Sequence, residues 1–247
     1  MDADIRVFDE VDSTNTVLMH MADEGAKEGT SVVASAQTKG QGRSGRSFYS
    51  PSGNLYMSLL LRPNDEKLFS MITVMAGVAA VEAIQEFFGV SCGIKWVNDV
   101  IVNDKKAGGI VAQAFNPAGK ERYVILGIGI NVYENADIPD EISDVYTSLF
   151  GKSPEKRLQK DDLMAAAESI ISRFSYYYDN ALISEAIERY RSHCCVMGKS
   201  VEYFSGQERF TARVSGISDD GGLILDTGSG MRCYHDGEIR IRQLSKP

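Results

Sequence analysis

Apolar and polar positions along the chain follow two periods. Short apolar runs at residues 5–8, 31–36 and 55–61 predict strands, the last stopped by Pro63. Between the first two, Val17, Leu18 and Met21 recur at helical spacing after Ser13-Thr14-Asn15. That tripeptide suits a helix start, because a Ser or Asn oxygen can accept from the free amides of the first turn, and Gly25 ends the helix. Residues 66–88 carry Leu68, Ile72, Met75, Val78 and Ala79 at helical spacing, with Gly89 as a stop. Three strand-like runs follow, at 94–96, 100–102 and 109–115, and Asn103-Asp104 predicts a tight turn between the second and third. The near-continuous apolar run at 123–130 predicts a central strand. Helices are predicted over 160–178 and 182–194. After Met197 the texture changes. Short strands at 201–204, 210–218, 223–226, 231–234 and 239–241 are split by Gly-containing turns, the spacing of a small barrel or sandwich. Two domains are expected, residues 1–196 and 197–247.

The 247 residues include 26 Lys+Arg and 34 Asp+Glu, a formal net charge of −8, with 43% hydrophobic and 24% charged residues. That balance is ordinary for a folded globular protein, and its acidic sign disfavours a broad nucleic-acid-binding face. An anionic ligand must then be met by a local cluster of cations. The longest apolar stretch, 71–84, is short for a bilayer span. Asp2 and Asp4 stand where a signal peptide carries basic residues. Cys92, Cys194, Cys195 and Cys233 show no CxxC spacing, which fits a reducing cytoplasm. The expectation is a cytoplasmic protein of mixed helices and strands, bound to neither DNA nor membrane.

Candidate chemistry is concentrated in three segments. Gly40-Gln41-Gly42-Arg43-Ser44-Gly45-Arg46 joins glycines that let backbone approach a ligand with two guanidinium forks suited to phosphate or carboxylate. It matches neither the P-loop nor the dinucleotide fingerprint, and alone it also reads as a solvated surface loop. Lys95-Trp96-Val97-Asn98-Asp99 sets a cation, an amide and a carboxylate at a strand end, ahead of Lys105-Lys106-Ala107-Gly108-Gly109-Ile110. Asn98-Asp99 also reads as a plain turn, but charges flanking an apolar Trp are costly unless paired or used. Gly127-Ile128-Gly129-Ile130-Asn131 clears one strand face, for a ligand or, more commonly, for close packing. His20, His193 and His235 have no partner at ligand spacing, so no metal site of protein side chains is expected. No Gly-x-Ser-x-Gly or neighbouring Cys–His supports a covalent triad.

Taken in this order, with Gln37 and Ser50-Pro51-x-Gly53, the motifs resemble those of the biotin–protein ligases. Gly-Glu-Ile-Arg-Ile-Arg at 237–242 is similar to the last strand of that family's small barrel, so the likeness runs from about residue 5 to the end. Ser13 lies so near the start that the winged-helix DNA-binding domain of some bacterial members is not expected. The resemblance implies an α+β fold: a mixed β-sheet with helices on one side (a class II synthetase-like core), followed by a small Src-homology-type β-barrel. It implies that biotin and ATP form biotinyl-AMP and pyrophosphate, and that a lysine of a biotin carboxyl carrier domain then displaces AMP. Mg²⁺ would enter with ATP on phosphate oxygens.

Residue by residue, the resemblance implies that Ser13, Thr14 and Gln37 bond the ureido ring of biotin, with Asn15, Gly40 and Gly109 in the same pocket. Lys106 would bridge the biotin carboxylate and the α-phosphate. Arg43 would close over the adenylate and Arg46 would hold pyrophosphate. Asn98 and Asn131 would contact the nucleotide, and Phe48 stands where the family carries an adenine-packing Trp. Asp99 is the nearest carboxylate to take the proton of the acceptor amine. Val97 replaces the usual Pro, Gln113 a common Glu, and Gln41 a frequent Arg, which leaves the loop one cation poorer. A lipoate–protein ligase shares this architecture, whereas a binding sensor without turnover or a DNA-binding regulator fits the retained cations and acidic charge less well. Edge strands leave room for a homodimer.

Overall fold

The computed structural model describes residues 1–247 apart from 120, 136, 153–157, 206–207, 236–239 and 244–247. Its first seven strands are β1 (Asp4–Val11), β2 (Thr30–Gln37), β3 (Leu55–Leu61), β4 (Gly93–Lys95), β5 (Asp99–Val102), β6 (Lys105–Phe115) and β7 (Tyr123–Ile130). They form one sheet in the order β1-β2-β3-β7-β6-β5-β4, with β7 at its centre as the continuous apolar run predicts. Only β1 and β2 run parallel, joined by the crossover helix α1 (Thr14–Asp23); β2-β3, β3-β7, β7-β6, β6-β5 and β5-β4 are antiparallel. Asn103 and Asp104 both adopt positive φ (50° and 61°), the conformation of the tight hairpin turn expected between β5 and β6.

The remaining helices are α2 (Glu66–Phe88), a short α3 (Asp140–Ser143), α4 (Lys160–Asp179) and α5 (Ile183–His193). The Asp65 carboxylate accepts from the Lys67 amide at 2.6 Å to start α2, and Gly89, left-handed at φ 68°, ends it. By length and composition α2 suffices to cross a membrane, but most of it is buried against the sheet, α4 and α5. Its carboxylate Glu82 is buried and answered by Arg173, Arg189 and the Tyr177 hydroxyl, which joins the three helices.

Helices on one side of the sheet describes α2, α4 and α5. The crossover helix α1 lies on the other face. Leu18 and Ala22 of α1 pack with Val32, Leu60, Tyr123 and Ile125, whereas the adjacent Val33, Leu59, Leu61, Val124 and Leu126 point to the main core under α2. A strand apolar at every position needs cover on both faces, and α1 supplies the second. Its start also differs from the expected cap. Ser13 makes no side-chain cap bond; instead the side-chain Oε1 of Gln37 on β2 accepts from the Thr14 amide at 2.9 Å.

The last strands, β8 (Ser200–Ser205), β9 (Glu208–Ile217), β10 (Leu223–Asp226), β11 (Met231–Tyr234) and β12 (Arg240–Gln243), form a separate antiparallel sheet in the order β11-β10-β9-β8-β12. Tyr203 of β8 and Tyr234 of β11 have ring centroids 5.6 Å apart although two strands lie between them. A flat sheet would separate them by about 14 Å at 4.7–4.9 Å per strand, so this sheet curls into an incomplete barrel. Val201, Val214, Leu223 and Leu225 inside it belong to the same apolar cluster as α2. The Trp96 indole donates to the Gly221 carbonyl at 3.0 Å, and Arg191 donates to the Ile217 carbonyl at 2.8 Å. Gly237, Glu238 and Ile239 of the terminal motif lie outside the described residues.

Candidate active site

A cleft opens where one face of the main sheet runs out of side chains. On β7 the even positions Val124, Leu126, Ile128 and Ile130 face the core, so Tyr123, Ile125, Gly127 and Gly129 share the other face. α1 covers Tyr123 and Ile125. Beyond it the two glycines leave a cleft of about 890 Å³, within the range of roughly 300–1,000 Å³ that small-molecule sites occupy. Gly127 pairs with Ser58 on one side and Val111 on the other; Gly129 pairs with Tyr56 and Gly109.

The end beside α1 is polar and uncharged. Ser58 Oγ lies 2.7 Å from Thr14 Oγ1 and 2.5 Å from Asn15 Oδ1. The Thr14 hydroxyl donates to Gln37 Oε1 at 3.1 Å, Gln37 Nε2 donates to Ser50 Oγ at 2.9 Å, and Asn15 Nδ2 donates to Gln113 Oε1 at 2.7 Å. A Cβ on Gly127 would stand 2.5 Å from Asn15 Oδ1, so this strand glycine makes room for the amide. Ser13, Thr14, Asn15 and Ser58 are all buried. The network fixes their orientation and presents donors and acceptors together, as a planar polar ring requires.

The opposite end gathers charge. The loop after β2 closes on itself through Gly42 N–H to the Arg46 carbonyl (2.7 Å) and Phe48 N–H to the Gly40 carbonyl (2.8 Å). Ser44 and Gly45 take the left-handed region at its tip. Arg43 leaves the loop to donate to Asn98 Oδ1 at 2.9 Å, and Asn98 is itself fixed by Nδ2 to the Ile110 carbonyl (2.7 Å) and by its own carbonyl to the Ile110 amide (2.9 Å). Burial lowers the Arg43 pKa against the opposing pull of Asp99, and a guanidinium so held stays charged at neutral pH. Lys106 Nζ pairs with Asp99 Oδ1 at 2.5 Å and stands 5.7 Å from the Phe48 ring centroid.

A bulge puts Lys106 there. Asp99 and Val100 pair with Gly109 and Gly108, but Ile101 pairs with Lys106, so Ala107 is one residue extra. Without it Lys106 and Gly109 would point to opposite faces. With it, a Cβ on Gly109 would stand 3.2 Å from Lys106 Nζ and 3.2 Å from Phe48 Cε2. Beyond Phe48, the buried Asn131 donates from Nδ2 to the Thr147 carbonyl at 3.0 Å, and its Oδ1 has no partner among the described residues. The Tyr146 hydroxyl is likewise without one, and burial pushes its pKa up to about 12. Tyr49 meets Tyr146 edge-on at 6.0 Å, making an aromatic wall with Phe48.

The sequence profile of the Biotin/lipoate A/B protein ligase family matches residues 7–131, and that of the Biotin protein ligase C terminal domain matches 197–242. The chain belongs to the biotin/lipoate A/B protein ligase family. Among relatives, the Bifunctional ligase/repressor BirA of Bacillus subtilis is 33% identical over 236 residues, 94% of this chain and 72% of that protein. The Biotin–[acetyl-CoA-carboxylase] ligase of Paracoccus denitrificans is 27% identical over 242 residues, 92% of this chain and 96% of its own. A solved structure of the biotin protein ligase from Aquifex aeolicus, in complex with biotin and ATP, superposes with a TM-score of 0.79 at 30% identity, covering 97% of this chain and 99% of that one.

For this member of the biotin/lipoate A/B protein ligase family, the residues singled out in the sequence converge on one cleft. Ser13, Thr14, Asn15 and Gln37 line its polar end, Gly109 its floor, and Arg43, Arg46, Phe48, Asn98, Asp99, Lys106 and Asn131 the rest. Gly40 does not line it. That glycine lies behind the wall, where a Cβ would collide with the Ser50 hydroxyl and the Phe48 carbonyl, so its part is to shape the loop. Gln41, at the position of a frequent family Arg, donates to Thr16 Oγ1 at 3.1 Å, and the Trp96–Val97 peptide at the Pro-to-Val departure is cis. Sequence reasoning missed Ser58 and Tyr146. Ser58 carried a signal, a single serine inside the apolar run of β3; Tyr146 carried none. Away from the cleft, His235 is not solitary: its Nε2 lies 3.0 Å from Asp220 Oδ2, with Cys233 close by.

Proposed function

We propose that the cleft binds biotin and ATP side by side and joins them, so that the chain works as a biotin–protein ligase: biotin and ATP give biotinyl-5′-AMP and pyrophosphate, and a lysine of a biotin carboxyl carrier domain then takes the biotinyl group. The observation that carries this reading is the convergence of Lys106, Arg43 and Asn98 on one end of a cleft whose other end is lined by the uncharged Thr14, Asn15 and Gln37, held from behind by Ser58. A cyclic urea, with two N–H donors and a carbonyl acceptor, suits that network, and Gln113 extends it through Asn15.

In the first step a carboxylate oxygen attacks the α-phosphorus and pyrophosphate leaves. Both reactants are anionic, so catalysis consists of neutralising charge and fixing geometry. Lys106 turns from Asp99 to lie between the carboxylate and the α-phosphate. Arg43 holds the adenylate from its place on Asn98, and Arg46 meets the leaving pyrophosphate. Phe48 and the tyrosine wall take the adenine, and Asn131 offers its unpartnered Oδ1 to the nucleotide. Mg²⁺ entering with ATP would be held mainly by phosphate oxygens and would help neutralise their charge. In the second step the acceptor amine loses its proton, attacks the acyl carbon and expels AMP. Asp99, released by Lys106, would take that proton. No covalent enzyme intermediate is needed.

We divide the chain at 196/197 into a catalytic part and a small-sheet part, and place the reaction in the cytoplasm, where its four reduced thiols belong. The test is a mass measurement on a carrier domain incubated with the chain, ATP and biotin or lipoate. A biotin adduct that requires ATP and outcompetes lipoate is expected. No adduct, or preferential lipoylation, would overturn the reading.

A further inference from the structure

Outside the cleft, the small sheet brings three unlike metal-binding groups together. The turn after β9 carries Ser218, Asp220 and Gly222 into β10, and β11 runs back beside it with Leu223 opposite Tyr234. Cys233 and His235, on either side of Tyr234, therefore return to the turn. One ligand atom each from Asp220, Cys233 and His235 lies within 4.8 Å of the others. His235 Nε2 is 3.0 Å from Asp220 Oδ2, and Cys233 Sγ is 3.6 Å from Ser218 Oγ.

The space over Gly222 is a second, independent observation. A Cβ at that position would stand 2.6 Å from Cys233 Sγ, 2.9 Å from Ser218 Oγ and 3.1 Å from His235 Nε2. Sulfur, oxygen and nitrogen thus converge on a point that the chain keeps free of carbon. The turn beneath is anchored at both flanks, by Arg191 to Asp219 at 2.7 Å and by the Gly221 carbonyl to the Trp96 indole at 3.0 Å.

We propose that Asp220, Cys233 and His235 form a binding site for a divalent cation of the zinc type. A thiolate, an imidazole and a carboxylate together are borderline-soft, a set that prefers Zn²⁺ to Mg²⁺ or Ca²⁺. Tetrahedral bonds of 2.0–2.3 Å place ligand atoms about 3.3–3.8 Å apart. The imidazole–carboxylate pair is already near that separation, and the exposed Cys233 has only about 1 Å to move. Three protein ligands leave a fourth position to water. A cation there fastens the end of β11 to the turn that holds Trp96, on the wall of the cleft.

The full-length chain, stripped with a chelator, is titrated with Co²⁺ and then Zn²⁺. A thiolate-to-cobalt charge-transfer band that saturates at one equivalent and disappears on adding Zn²⁺ is expected. Cys233→Ser should abolish it, His235→Gln and Asp220→Asn should each weaken binding at least tenfold, and Cys195→Ser should leave it unchanged. Zn²⁺ at a hundredfold excess over its Kd should raise Tm by roughly 5–10 °C in the parent chain and not in Cys233→Ser. Absence of the band overturns the proposal, as does a band that survives in Cys233→Ser or is indifferent to His235→Gln and Asp220→Asn.

Discussion

Arg43→Gly removes the hydrogen bond that ties the glycine-rich loop to the turn at Asn98. The bond is charge-assisted, half-buried and 2.9 Å long, and its acceptor cannot drift because Asn98 is bonded twice to Ile110. A hydrogen bond to a charged group of this kind is worth about 1.5–3 kcal/mol. At 1.36 kcal/mol per factor of ten, the closed loop becomes less populated by roughly 10–150-fold. Biotinyl-AMP held under the loop should escape faster by the same factor, while adenylate still forms because Lys106 is intact. The assay loads the protein with biotin and ATP, removes excess ligand, and chases with free lysine, following biotinyl-lysine by mass spectrometry. Arg43→Lys, which keeps the charge but loses the fork, should fall between parent and Arg43→Gly. Adenylate retained by Arg43→Gly within threefold of the parent would refute the reasoning.

The remaining predictions divide the cleft by its two ends and the chain by its thiols. Lys106→Ala should lower biotin-dependent ATP–pyrophosphate exchange by about 10²–10³-fold, the usual effect of losing one preorganised electrostatic contact, with biotin binding by calorimetry changed far less; exchange near the parent rate would contradict its role. Gly127→Ala pushes a methyl to 2.5 Å from Asn15 Oδ1 and should raise KM for biotin. Gly129→Ala pushes one to 2.7 Å from Phe48 Cε1 and should raise KM for ATP, each at an overpacking cost of about 1–3 kcal/mol; steady-state kinetics that moved both constants equally would deny two separate ends. Burial pushes the Cys92 thiol up to about 12 and Cys194 to about 11, so at pH 8 both are overwhelmingly protonated. Alkylation of the chelator-stripped chain, mapped by mass spectrometry, should strike the exposed Cys233 first and reach those two only on unfolding.

Periodicity made much of the fold legible. Residues 55–61, 66–88, 123–130, 223–226 and 231–234 are elements with the bounds that the sequence predicts: the first four are runs buried on at least one face, and all are stopped by Gly, Pro or a turn. The strand at 109–115 is longer than expected, beginning at Lys105, because a β-bulge at Ala107 breaks the alternation by which its first half would be read. The same bulge turns Lys106, which the resemblance singles out, to the face that strand parity alone would deny it. Which face α1 takes depends on sheet order, which no local pattern carries. Ser58 with Asn15, and Cys233 with Asp220, meet across 43 and 13 positions of chain, joined only by the register of strands. Convergence of this kind is tertiary, and motif order could signal it only by resemblance.

Lys106 and Asp99 hold each other across the floor of the cleft. An unmatched ammonium in such a hollow would collect whatever inorganic anion is abundant, and the site would spend its time inhibited. With its own counter-ion built in, the lysine is compensated at rest. A stray monoanion gains little by displacing Asp99. A nucleotide that brings several negative charges, an aromatic base and a metal gains enough to do so. On the reading proposed above, the internal pair would set a threshold on admission, and the carboxylate freed when that threshold is crossed would stand ready before the second step calls for a base.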